Sequence, residues 1–297
     1  MNSEMKRRPG TLIARIVILL IVLIGLSQYQ TILDAYALAN YSAPADIAAL
    51  EAPLGLTKAS LILVARTRPA IDDKAQFNHD CQTQAGELEL GCYVGGRIYI
   101  LKLDKASLQG EMETVFAHEL LHAAWVRMNA SQQASEGAVL ESAYHALSDA
   151  ELKQRMADYA KSEPGQETNE LHSILGTERP VLTAALESHY AEYFSDRQAI
   201  VTAHQAYESV FAQSGAELAT QLANIKALKA QLGRLNARMA SYEASGQISQ
   251  YNALVASQNA LVNQVNALIT QYDAAVDQYN ALSKSIDSRQ VDTEPGV

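Results

Sequence analysis

Cysteine is almost absent: Cys81 and Cys92 are the only two in 297 residues. A four-cysteine zinc module is thereby excluded, because no second pair exists to complete it. An excess of basic residues is lacking too. Lys and Arg number 23 against 33 Asp and Glu, a formal net charge of -10, and that balance excludes nucleic acid as a partner. The acidic residues are spread along the chain and read as a solvated surface. Long apolar runs are missing, with one short exception. Lys6, Arg7 and Arg8 precede an apolar stretch from Ile16 to Leu26, which Thr11 to Ala14 extend backwards past Arg15.

A basic flank before a hydrophobic helix has two readings. As an uncleaved signal anchor, residues 1–30 hold a single-pass membrane protein whose remainder is extracytoplasmic. As a cleaved signal peptide, ending at the small-residue site Ala37-Leu38-Ala39, they release a secreted protein. The distance from Leu26 to Ala37 is long for a cleavage region and favours the anchor. The uninterrupted stretch is shorter than the roughly 20 residues that span a bilayer, so Arg15 would snorkel to the headgroups. In an exported chain, a lone close pair of cysteines reads as a Cys81–Cys92 disulfide, with two unpaired buried thiols as the alternative.

The pattern of the rest predicts an α+β chain that is mostly helical. Gln28 to Leu50 reads as helix interrupted at Pro44, and Leu61 to Ala65 as a short strand. Glu87 to Val94 and Arg97 to Leu103 flank Gly95-Gly96, a two-residue hairpin signal. From Gly110 onward the sequence reads as helices, broken at Asn129-Ala130, Ser148-Asp149, Pro164-Gly165 and Pro180. From about Ala216 a seven-residue repeat takes over. Ile225, Leu228, Leu232, Leu235, Met239 and Tyr242 form one arm, and Ser245-Gly246 breaks it. The second arm is nearly literal, with Asn-Ala-Leu following Tyr251, Gln258, Val265 and Tyr279. Two such arms predict an antiparallel coiled-coil hairpin over 214–285, with a longer coiled coil between chains as the alternative. A protein partner for the coiled coil is a further expectation, and residues 286–297 read as a disordered tail.

The chemistry lies in the run from Val115 to Trp125, which contains His118-Glu119-x-x-His122. Residues four apart on a helix lie one above the other, so both imidazoles reach one Zn²⁺ while Glu119 faces the water as general base. The flanking residues are uncharged, so two histidines and a glutamate inside such a helix would be costly without a partner. A zinc hydrolase needs a third protein ligand. Glu192 is the first choice, with Asp196 one turn later holding the free nitrogen of a ligand histidine. Glu170 is the runner-up, followed by Glu187, Glu178 and His172. His172, His189, Tyr190 and Tyr193 are candidate donors to an oxyanion, His172 foremost.

This arrangement resembles the gluzincin class of zinc metallopeptidases, over about residues 95–200. The run Glu192-x-x-Ser195-Asp196 is similar to the Glu-x-x-Ala-Asp motif of membrane-associated prenyl-protein and heat-shock metalloendopeptidases, with Ser195 in place of Ala. The resemblance implies a small zincin-like catalytic domain over 31–213, a zinc cofactor and a peptide or protein substrate. It also implies that Arg97 to Leu103 is the edge strand beside the active-site helix, able to hold an extended peptide. The competing expectation is a non-catalytic cell-envelope scaffold or adaptor that acts through the coiled coil and keeps a structural or vestigial zinc site.

Overall fold

The computed structural model describes residues 28–81 and 89–290. Among them are eleven α-helices and one three-stranded sheet. α1 (Tyr29–Asn40) and α2 (Ala45–Glu51) flank Pro44, the interruption read from the sequence. α3 (Lys58–Thr67) covers the stretch expected to be a strand at Leu61 to Ala65. Local chemistry explains the correction. The hydroxyl of Thr57 caps the helix by accepting from the Ser60 backbone N–H, and Ser60, Leu63, Val64 and Thr67 are all buried at helical spacing. β-branching was a weaker cue than that periodicity.

The strand comes instead just after the helix, as β1 (Ala70–Asp72), and is followed by α4 (Lys74–Cys81). β2 (Gly91–Val94) and β3 (Arg97–Leu101) form the expected hairpin, with positive φ at both Gly95 and Gly96. Two-residue turns of this kind require that conformation and so select glycine. β1 pairs in parallel with β3, so the order is β1-β3-β2. β3 is therefore the central strand, and the expectation that Arg97 to Leu103 forms the sheet edge is corrected: β1 and β2 are the edges, and β2 is the one that packs beside α5. The Cys81–Cys92 disulfide ties the end of α4 to β2.

α5 (Gln109–Arg127) crosses the body of the molecule, with Phe116, Ala117, Leu120, Leu121, Ala123 and Ala124 in the core. Around it stand α3, the sheet, α8 (Glu167–Glu178) and α10 (Arg197–Ala244). α6 (Ala130–Ala146) and α7 (Ala150–Ser162) precede α8, and α9 (Ala184–Tyr190) follows it. The four helix breaks read from the sequence fall between these elements. Asn129 forms a capping box with Gln132, and Asp149 caps α7. α8 approaches α5 closely at Gly176, where an added Cβ would stand 2.4 Å from Leu121 Cδ1.

α10 has 48 residues and runs unbroken from the body through position 214 into the hairpin, where α11 (Ile248–Ile286) returns along it. Ile225, Met239 and Val265 are buried in the seam, and Gln258 donates across it to Asn236. Phe211 and Tyr279 meet edge-on near its base. The tail expected to be disordered from residue 286 is partly packed. Asp287 and Ser288 are buried, and Asn78 donates to the Ser288 carbonyl at 2.7 Å. The remainder, 291–297, lies outside the described residues.

The single-pass membrane placement is corrected as well. Among the described residues no helix is long and apolar enough to cross a membrane. The apolar stretch from Ile16 to Leu26, on which that expectation rested, lies outside the described residues.

Candidate metal centre

α5 carries His118, Glu119 and His122 into the wall of a cleft of about 600 Å³. The two rings sit on successive turns with centroids 4.8 Å apart, and potential ligand atoms of all three residues lie within 4.8 Å of one another. The spacing read from the sequence thus forms a group positioned to bind a metal.

α8 brings Glu170 across both rings. Its Oε1 is 3.3 Å from His122 Nε2, and its Oε2 is 3.7 Å from His118 Nε2. That Oε2 is buried and has no hydrogen bond. Burial alone would raise the Glu170 carboxyl, but the two histidines and the Arg155 charge bring it below its ordinary value. Next to it, Asn169 Oδ1 stands 3.0 Å from His122 Nδ1. The Asn169 amide donates to Gln166, which turns its oxygen toward the ring, so Nδ1–H of His122 is the donor. The Nε2 lone pair is then free to face Glu170.

Burial dominates the electrostatics of the α5 triplet. It lowers His122 to about 4, and the ring is therefore neutral and able to ligate. It raises Glu119 to about 8, with His118 pulling back and Glu170 adding to the rise. For His118, burial is outweighed by Glu170 and Glu119, and the ring is raised. A buried carboxylate oxygen without a hydrogen bond, two imidazole nitrogens facing it and a buried second carboxylate converge here, and no lysine or arginine lines the cleft among the described residues. A divalent cation fits that donor set.

Several residues expected at the site stand elsewhere. Glu192 is exposed and borders a separate hollow with Asp34 and Arg127. Its backbone carbonyl accepts from Thr57. The reading of Glu192 and Asp196 as neighbours on one helix face fails because α9 ends at Tyr190, and Asp196 caps the next helix by accepting from Ala199. Asp196 thus has no ligand histidine to hold. Glu187 pairs with the buried Arg197. His172, expected to donate to an oxyanion, is fully buried, with Nε2 2.8 Å from His189 Nε2 and Trp125 against its ring. None of His172, His189, Tyr190 and Tyr193 lines the cleft. Tyr159 does, and its hydroxyl, raised by burial and then by Glu170, keeps its proton. Neither Tyr159 nor Asn169 carried a local signal in the sequence beyond Asn169 preceding an acid.

No family model matches the chain, and neither curated proteins nor solved structures provide a match. The site is therefore read from its own geometry.

Proposed function

We propose that the chain is a zinc-dependent peptide hydrolase of gluzincin type, with His118, His122 and Glu170 as metal ligands and Glu119 as general base. The observation that carries this reading is the Glu170 carboxylate lying across both Nε2 atoms while Glu119 faces the same cleft. Two imidazoles and one carboxylate form the usual protein ligand set of a catalytic zinc, with one position left for water or substrate.

A zinc ion held by His118, His122 and Glu170 would supply the positive charge that activates water at neutral pH and polarises a substrate carbonyl. Asn169 fixes the His122 tautomer. Glu119, brought back to its ionised form by a cation beside it, takes the proton of the attacking water and passes it to the departing amine. Tyr159 offers a phenolic proton to the developing oxyanion. Among the described residues β2 is the sheet edge beside Glu119, and its backbone can pair with an extended peptide.

The full chain should bind about one zinc per molecule and cleave peptides in a chelator-sensitive way. Glu119→Gln should keep its zinc and lose cleavage by roughly 10²–10⁴-fold. Cleavage by Glu119→Gln at the parent rate would remove the catalytic assignment.

The adaptor reading draws on one observation, the 48- and 39-residue arms of the hairpin, which offer a long surface for a helical partner. On that reading the zinc is structural, and neither the parent nor Glu119→Gln cleaves.

A further inference from the structure

The cleft continues past the metal centre along α5 to a second group of side chains that the proposed reaction does not use. Glu111 and Thr114 line it from α5, Thr177 and Glu178 from α8, and His204 from α10. Glu111 lies seven residues before His118, two helical turns or about 10 Å along the axis. The Glu111 side chain is more than nine-tenths buried, and its Oε2 has no hydrogen bond. His204 Nδ1 stands 3.4 Å from that oxygen, and His204 Nε2 stands 3.8 Å from Glu178 Oε2. Arg155 pairs with Glu178 without itself lining the cleft. Both threonine hydroxyls are occupied by backbone carbonyls, of Gly110 and Ser173. Both hydroxyl oxygens can therefore still accept, and the charged acceptors at this end are the two carboxylates.

The whole cleft shares this character. Glu89, Glu111, Glu119, Glu163, Glu170 and Glu178 line it, and no lysine or arginine does among the described residues. At the Glu111–Glu178 end, His204 and Arg155 are the cationic groups that face the two carboxylates, both from the protein's own side. A cleft wall lined by carboxylates favours a positively charged substrate group over a neutral or acidic one.

We infer that the Glu111–Glu178 end of the cleft is a specificity subsite for a lysine or arginine side chain at or next to the scissile bond. This rests on the peptidase reading. A span of about 10 Å corresponds to about three extended residues, so a long basic side chain close to the metal centre can reach Glu111. An ammonium or guanidinium there adds a donor to carboxylates that otherwise face only His204 and Arg155, and a neutral chain of the same length adds none. An acidic chain meets like charge.

The test uses the full chain loaded with zinc and peptides identical except at one scanned position, carrying Lys, Arg, norleucine or Glu. At the preferred position, kcat/KM for Lys or Arg should exceed that for norleucine by about tenfold, a difference of about 1.4 kcal/mol. Glu178→Gln and Glu111→Gln should each narrow that gap. Equal rates for Lys and norleucine at every position would overturn the subsite, even if all peptides are cleaved. Absence of cleavage of every peptide would count against the peptidase reading alone. The subsite is then decided by fluorescence anisotropy of the same peptides on zinc-loaded Glu119→Gln, where tighter binding of Lys over norleucine upholds it and equal binding overturns it. A ratio of two zinc per chain that drops to one in Glu111→Gln would also overturn it, because the cluster would then hold a metal of its own.

Discussion

Gly91 of β2 lies directly against the Glu119 carboxylate: a Cβ at Gly91 would stand 2.9 Å from Glu119 Oε1 and 2.4 Å from Val115 Cγ1. The edge strand can come this close to α5 only because position 91 has no side chain. Gly91→Ala must therefore push Val115 together with Glu119, or β2, aside. Its zinc content should match the parent while kcat falls, by up to about 10²-fold for a shift near 1 Å. Elemental analysis and kinetics on the same preparation check both parts. Unchanged kcat would mean that the position of Glu119 does not matter.

Asn169 acts on the site through His122. Removing the acceptor of the Nδ1 hydrogen bond frees the ring to rotate and to change tautomer. Asn169→Ala should weaken zinc binding by roughly 10–100-fold, read by competition with a chelator of known affinity. Asn169→Asp keeps an acceptor and should retain most of the affinity. Equal losses in the two variants would assign Asn169 to folding instead.

Glu170 and Glu192 separate the geometric reading from the sequence motif. Glu170→Gln should lose bound zinc in dialysed protein, whereas Glu192→Gln should keep about one equivalent. The reverse result would restore the pairing of Glu192 with the two histidines.

How much was legible follows from the range of the signals. His118, Glu119 and His122 were readable because one helical turn fixes their relation. The hairpin at Gly95-Gly96 and the heptads were readable for the same reason: their rules act within a few residues. The third acid was not. Glu170 is 48 positions after His122 and reaches it only because α8 packs on α5 at Gly176. Glu192 looked better because an assumed helix ran through Asp196, and the cap at Asp196 ends that assumption. The error at Leu61 to Ala65 was similar. A β-branched run outvoted the threonine cap before it.

The Cys81–Cys92 bridge fastens the strand that carries Gly91. A bridge across 11 positions stabilises by about 3 kcal/mol in the chain-entropy account. Cys81→Ala with Cys92→Ala should lower stability by an amount of that order and loosen β2 at the cleft wall. Denaturant titration gives the first, and faster amide exchange at Val94, which faces Arg97 of β3 at a hydrogen-bonded position, gives the second. Undiminished protection at Val94 would show that pairing with β3 alone holds the edge.

The last prediction concerns pH and the pair at the far end of the cleft. His204 lies above the ordinary imidazole value, because Glu111, with Glu178 and Glu208, outweighs the lowering effect of burial. Glu111 is also raised, by burial, and His204 offsets only part of the rise. Both groups hold a proton more tightly in the folded chain than in the unfolded one. Such a contribution is complete below the unfolded pKa and is lost as pH rises through the folded one. For His204 the loss begins near about 6.5 and extends upward. The urea midpoint of zinc-free protein should therefore slope more negatively with pH between about 6 and 8.5 than that of His204→Gln. Glu119, raised to about 8, and the lowered His122, His172 and His189 tilt in opposite senses but equally in both proteins, so the difference between the two slopes isolates the pair. Parallel slopes would mean that His204 exchanges no proton on unfolding in this range, and the contact with Glu111 would then be one between neutral groups.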